Sequence, residues 1–218
     1  MNRALATLLA LVVAAVASLP ATGAPFEEPK HYQTVAGAKA PAADARIEVI
    51  EFFSWTCPHC MRFEPYLHKW LQAKPADVDF VKIPVVPDPP TKTESSFVNQ
   101  AKAYYALEGM GQLARLSDEF FKAIVDQRQR LNDEPSITTF VTRFGVDAEA
   151  FRQAFSSFEV DGKVRRAYQL AKDYQINSWP RMVVDGRYRS GEVESYQQMA
   201  DLTTFLVEQA RRVRKPAG

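Results

Sequence analysis

The chain has little of what several classes of protein require. Its 218 residues include two cysteines, three histidines and nine glycines. So few cysteines exclude a scaffold held together by several disulfides. The sequence also lacks a glycine-rich phosphate loop, a nucleophilic serine motif and a heptad run. Basic and acidic residues balance at 27 against 26, so no overall field attracts nucleic acid or an anionic membrane.

Metal ligands are scarce as well. A structural zinc site needs about four ligands. Besides the two cysteines, the chain offers only His31, His59 and His68, and it has no second CxxC pair and no HxxxH pair. We therefore expect no metal and no bound cofactor.

The first 23 residues are typical of a secretory signal peptide. A short cationic start with Arg3 precedes an apolar run over residues 4–19, and residues 21–24 are small enough for cleavage near Gly23 or Ala24. An uncleaved membrane anchor is the alternative, because the run approaches the length of a bilayer span. We expect cleavage, which leaves about 195 residues in an oxidising compartment where disulfides persist.

The remaining sequence predicts strands at both ends of a long helical block. Hydrophobic patterns indicate, in order, a strand at 47–54, a helix at 58–73, a strand at 78–85, helices from about 95 to 175, a hairpin at 181–190 and a last helix at 195–213. The Asp185-Gly186 pair is the turn signal of the hairpin. A mixed sheet flanked by helices would bury these apolar faces, which makes the fold class α/β.

The two cysteines stand at the junction of the first of these strands and the helix that follows it. In Cys57-Pro58-His59-Cys60, Pro58 occupies the first helical position, which places Cys57 at a helix N-terminus. Free backbone N–H groups and the helix dipole favour an anion there, so Cys57 should ionise more easily than an ordinary thiol. A structural disulfide is a poor alternative, since closing so short a loop constrains little of the unfolded chain.

Glu51 is a carboxylate in an otherwise apolar strand, six positions before Cys57. Burial should raise its pKa and allow it to relay protons to or from Cys60. Lys82, on the adjacent predicted strand, is the candidate partner for its charge. The alternative is that Glu51 and Lys82 merely form an ion pair that reaches solvent.

The arrangement resembles the thioredoxin fold of the DsbA family. The matching points are Glu51-Phe52-Phe53-Ser54, Cys57-Pro58-His59-Cys60, Phe63-Glu64 and Pro180. The resemblance implies a thioredoxin-like mixed sheet flanked by helices, with an inserted all-helical domain. The corresponding boundaries are a signal peptide at 1–23, a discontinuous thioredoxin-like domain at 24–92 and 177–218, and a helical insertion at 93–176.

The resemblance also implies roles for individual residues. Cys57 would be the nucleophile, and Cys60 the buried resolving thiol. His59 would donate a hydrogen bond or place positive charge near the thiolate, unless it is a plain surface histidine. Pro180 would be a cis-proline beside the disulfide, and Trp179 before it would offer its backbone to an extended substrate. Trp179 departs from the small or β-branched residue more usual there, and with Trp55 it could line an apolar surface for unfolded chains.

These features predict a periplasmic thiol:disulfide oxidoreductase that donates its Cys57–Cys60 disulfide to newly exported proteins. The disulfide is the only redox centre it needs, and a DsbB-like, quinone-linked membrane oxidase would restore it. We expect a monomer, because about 20 residues precede the first strand and isomerases usually dimerise through a separate N-terminal domain. The alternatives are a disulfide reductase or isomerase and, in a different class, a holdase that binds polypeptides without using its cysteines.

Overall fold

The computed structural model describes residues 26–37 and 46–214. The predicted signal peptide lies outside these residues. In the described part of the chain, five strands form one mixed sheet in the order β1-β5-β4-β2-β3. The strands are β1 (Tyr32–Thr34), β2 (Ile47–Phe53), β3 (Val78–Pro84), β4 (Arg181–Val184) and β5 (Tyr188–Ser190). β2 and β3 are parallel, whereas the β2–β4, β4–β5 and β1–β5 pairs are antiparallel.

The described chain also contains seven α-helices. They are α1 (Pro58–Ala73), α2 (Ser96–Gly109), α3 (Leu113–Phe121), α4 (Glu134–Thr142), α5 (Ala148–Phe155), α6 (Phe158–Asp173) and α7 (Tyr196–Arg214). A π-helical turn, Lys122–Asp126, continues α3. The predicted strands, hairpin and first and last helices are confirmed to within one residue at most ends, but periodicity did not predict the π turn.

Central strand β2 is buried on both faces, which explains its nearly continuous apolar sequence. One face packs on α1 and α7, with Val49, Phe63 and Leu206 in a common core. The other face packs on the helical block, where Phe52 of β2 meets Tyr174 just after α6 at a ring distance of 6.1 Å. The α/β, thioredoxin-like class is therefore confirmed. Because the helical block shares its core with the sheet, its division from the rest at residues 93 and 176 stays a prediction.

Tight turns follow the central strands β2 and β4. After β2, the Cys57 amide donates to the Ser54 carbonyl at 3.1 Å, and α1 starts at once. At the opposite end, Asp185 and Gly186 both have positive φ, as the predicted hairpin turn requires. Because β4 runs antiparallel to β2, with Arg181 opposite Phe52, the segment that leads into β4 lies beside the N-terminus of α1. No helix within residues 26–37 and 46–214 is long and apolar enough to cross a membrane.

Candidate active site

Cys57 is the N-cap of α1, as its sequence position predicts. Its backbone is extended, with φ −96° and ψ 111°, and its sulfur accepts a hydrogen bond from the Cys60 amide at 3.3 Å. Pro58 follows in the first turn, where its missing N–H costs no intrahelical bond. The first turn of α1 therefore presents its free amides to the Cys57 sulfur.

The environments of the two thiols differ sharply. Hydrogen bonding from the Cys60 thiol is the main cause that lowers the pKa of Cys57 to about 7, assisted by the Cys60 and His59 amides and by the charge of Arg62, against the opposing effect of burial. Cys60 is 0% exposed, and burial raises its pKa far above the ordinary range. Cys57 keeps 8% exposure, and the two thiols are not joined in a disulfide. Cys57 is therefore the sulfur suited to attack, and Cys60 is suited to remain a thiol.

Glu51 lies behind the pair on β2 and is fully buried. Its carboxylate is 3.3 Å from the Lys82 ammonium, but neither oxygen has a normally directed hydrogen bond within the described residues. Burial raises the pKa of Glu51 to about 7, and the charge of Lys82 only partly offsets it. Burial also acts to lower the pKa of Lys82, yet Glu51 and a second carboxylate leave it raised. The ion pair is present, and its partly exposed member is Lys82 rather than Glu51, so proton relay and simple pairing both stay predictions.

The second carboxylate on Lys82 is Glu64, for which no role in the site was predicted from the sequence. The Lys82 ammonium donates to its carboxylate, and Glu64 is itself 8% exposed. Glu64 lies four residues after Cys60, hence on the same face of α1. This four-residue spacing was the sequence signal that could have placed Glu64 in the site. The site thus holds two carboxylates and one ammonium in a buried cluster.

His59 is exposed, as the surface-histidine alternative expects, and its role toward the Cys57 thiolate stays a prediction. Its imidazole Nδ1 lies 3.0 Å from the hydroxyl of Tyr196, at the start of α7, and its side chain is exposed. The His59 backbone amide, rather than the ring, helps to lower the pKa of Cys57. Tyr196 was not predicted as part of the site.

The expectation that Pro180 is cis is confirmed, since the Trp179–Pro180 bond is cis in the structure. The Cys57 thiol donates to the Trp179 carbonyl at 3.4 Å, which brings this segment against the nucleophile. The Trp179 ring is half-buried and packs edge-on against Phe97 at 5.8 Å. A cavity of about 580 Å³ opens beside these residues, and His59 and Tyr196 line it too. It is large enough to hold side chains of an extended polypeptide.

Trp55 does not line this surface, so its assignment to an exposed apolar surface is wrong. It is 2% exposed and stacks on Phe120 of α3, with ring centroids 4.0 Å apart. Its indole N–H donates to the Ser117 hydroxyl at 3.2 Å. Trp55 is a core residue because the helical block covers the end of β2.

A thioredoxin-like sheet with a CxxC helix cap and a cis-proline against the first sulfur defines the class of thiol:disulfide oxidoreductases. Within residues 26–37 and 46–214, no group of three or more His, Cys, Asp or Glu side chains could hold a metal ion.

Comparison with known proteins identifies the family. Residues 48–204 match the DSBA-like thioredoxin domain. The thiol:disulfide interchange protein DsbA of Pseudomonas syringae pv. tomato is 34% identical over 214 residues, 95% of this chain and 96% of that protein. DsbA of Burkholderia cepacia is 34% identical over 194 residues, covering 88% and 86%. The crystal structure of Pseudomonas aeruginosa DsbA superposes with a TM-score of 0.76 at 29% identity, covering 84% and 94%. This chain belongs to the DsbA family and is a thiol:disulfide oxidoreductase.

Proposed function

We propose that this protein works in the direction of oxidation and donates its Cys57–Cys60 disulfide to newly exported proteins in the periplasm. The observation that carries the proposal is the match of residues 48–204 to the DSBA-like thioredoxin domain. The helix-cap position of Cys57, whose sulfur accepts from the Cys60 amide at 3.3 Å and whose pKa is lowered, supports it by stabilising a thiolate. The Cys57 thiolate exists only in the reduced enzyme. Interactions that stabilise the thiolate therefore stabilise the reduced enzyme and favour transfer of the disulfide to another protein. The apolar run in residues 4–19 supports export, and the family supports the compartment.

The proposed reaction has two exchange steps. A substrate thiolate attacks the Cys57 sulfur, the Cys57–Cys60 bond breaks, and Cys60 leaves and takes up a proton. A second substrate thiolate then attacks the substrate sulfur of the mixed disulfide and releases Cys57 as a thiolate. Two electrons pass from the substrate to the enzyme, and the product leaves with its disulfide.

Glu51 is the proposed proton donor to Cys60 in the first step and the acceptor when the pair is reoxidised. Its pKa of about 7 means that protonated and ionised forms are both present near neutral pH. Lys82, held between Glu51 and Glu64, limits how far burial raises that pKa. The cavity beside Trp179 and Pro180 is the proposed binding site for the substrate chain. The backbone of the cis-proline segment would form hydrogen bonds with that chain.

Reoxidation would come through Cys57 from a DsbB-like, quinone-linked membrane oxidase, and we propose that the protein acts as a monomer. Reconstitution with such an oxidase in quinone-containing vesicles tests the first proposal by the return of the disulfide. Sedimentation of the mature protein tests the second.

The direction of the reaction is tested by the redox equilibrium of the cysteine pair with glutathione. A potential well above that of glutathione is expected for a disulfide donor, and each tenfold change in the equilibrium constant corresponds to about 30 mV. A potential near that of thioredoxin would instead assign the protein to disulfide reduction or reshuffling. Cys57→Ser separates the holdase alternative, because a holdase would keep its activity and an oxidase would lose it.

A further inference from the structure

The contact between His59 and Tyr196 joins the active-site helix to a residue 137 positions away. The imidazole Nδ1 and the Tyr196 hydroxyl are 3.0 Å apart, a normal hydrogen-bond length. Within the described chain, this is the hydrogen bond that the imidazole makes. The Cys57 sulfur instead contacts the Cys60 amide and the Trp179 carbonyl.

Tyr196 is itself held from two directions. It is the first residue of α7, which Ser195 caps by accepting from the Gln198 amide at 3.1 Å. Its half-buried ring leans on Tyr66 of α1, with ring centroids 5.8 Å apart and an interplanar angle of 44°. The helix start and the ring contact together fix where the Tyr196 hydroxyl lies. The hydroxyl is therefore a hydrogen-bond partner of fixed position for the imidazole.

We propose that Tyr196 is a positioning residue that holds the His59 imidazole away from the Cys57 sulfur and so limits the oxidising power of the pair. An imidazole N–H that reaches the sulfur stabilises the thiolate of the reduced form and has no equivalent anion to bind in the disulfide. In the structure the Nδ1 atom of the ring bonds to Tyr196, whereas the Cys57 sulfur contacts the Cys60 amide and the Trp179 carbonyl. The inference rests on the proposed function, since it assigns Tyr196 a tuning role at the same cysteine pair.

Other charges face the same region and would remain in place when the hydroxyl is removed. Arg181, Glu192 and Glu194 line the cavity that His59 and Tyr196 share. Arg62 acts on Cys57 from the next turn of α1. Substitution of the tyrosine by phenylalanine therefore changes the restraint on the imidazole and leaves the surrounding charges unchanged.

The test is Tyr196→Phe, which removes the hydroxyl and retains the ring that packs on Tyr66. We expect the equilibrium with glutathione to shift about three- to tenfold toward the reduced enzyme, or about 15 to 30 mV. The pKa of Cys57, followed by thiolate absorbance, should fall by about half to one pH unit. Tyr66→Phe is the matched control, because its hydroxyl makes no hydrogen bond to His59, and it should change neither quantity.

A His59→Ala background decides whether the effect passes through the histidine. Tyr196→Phe should have no effect there. An unchanged equilibrium in the single variant, a shift of opposite sign, or an equal shift without His59 would each overturn the inference. The potential of the unmodified protein tests the proposed direction separately, because the comparison between variants does not depend on its absolute value.

Discussion

Replacing Glu51 with glutamine should make the reduced protein more stable above neutral pH. The Glu51 side chain is 0% exposed, and its ionised form is compensated only in part by Lys82. Glutamine has nearly the same size and no charge. Lys82 keeps Glu64 as a partner after the substitution, so no buried ammonium is left without a carboxylate. The substitution therefore removes a charge whose burial is costly.

The size of the effect follows from the pKa. Burial raises the pKa of Glu51 from its ordinary 4.5 to about 7 in the folded protein. Above pH 4.5 the unfolded chain releases this proton and the folded protein retains it, so the carboxyl destabilises the fold increasingly between pH 4.5 and 7. Above about pH 7 the cost is constant. The gap between the two values corresponds to about 3 kcal/mol.

Denaturant unfolding of the reduced protein, in a phosphine reductant between pH 4 and 8.5, measures this directly. At pH 4 the glutamine variant and the unmodified protein should have the same free energy of unfolding. By pH 8 the variant should be more stable by about 3 kcal/mol. Glu94→Gln is the control, since Glu94 is exposed, and it should show no such pH dependence. The Glu51 variant should also oxidise substrates more slowly, because it lacks the proton donor proposed for Cys60.

Two results would refute this electrostatic account of Glu51, and a third would refute its role in proton transfer. Equal stabilities at pH 8 would mean that the buried carboxylate is fully compensated by Lys82. A difference that grows toward acid pH would mean that the pKa of Glu51 is lowered by folding. Unchanged turnover in a variant with the expected stability would remove the proton-transfer role and leave the electrostatic one.

Three further predictions concern other residues of the site. Alkylation of the reduced protein by iodoacetamide should have a midpoint near pH 7 at Cys57 and leave Cys60 unmodified, whereas a midpoint near that of free cysteine would contradict the thiolate assignment. Pro180→Thr should accumulate mixed disulfides, visible on non-reducing gels, and their absence would argue against a substrate-facing cis-proline segment. Trp55→Ala should destabilise the protein by about 3 to 5 kcal/mol in thermal or denaturant unfolding, because it empties the space against Phe120. A cost below about 1 kcal/mol would show that Trp55 is not an essential part of this core.

The chemical centre of the site could be predicted from local sequence. The CPHC segment follows a buried strand directly, and the capping geometry of Cys57 depends on atoms within four residues along the chain. The seven-residue apolar strand likewise predicted burial of Glu51. Such features depend on backbone periodicity and helix-end chemistry, which neighbouring residues determine.

The remaining features of the site depended on contacts between segments that are distant in the sequence. Trp55 was misassigned because the residue that covers it, Phe120, lies in α3. The periodicity of α3 predicts a helix but does not predict where that helix packs. Glu64 shares Lys82 with Glu51 only because β3 lies beside β2 and α1 packs above them.

Local sequence predicted the reactive cysteine pair, the order of strands and helices and the buried acid, since each depends on residues that are close together in the chain. Which groups surround that pair depends on the packing of distant segments, and of these groups the Trp179–Pro180 segment was expected from the family resemblance. His59 meets Tyr196, and Cys57 meets the Trp179 carbonyl, across 137 and 122 positions of sequence. These neighbours are fixed by how the sheet and its helices pack, and packing depends on the shapes of whole elements rather than on the spacing of residues within one.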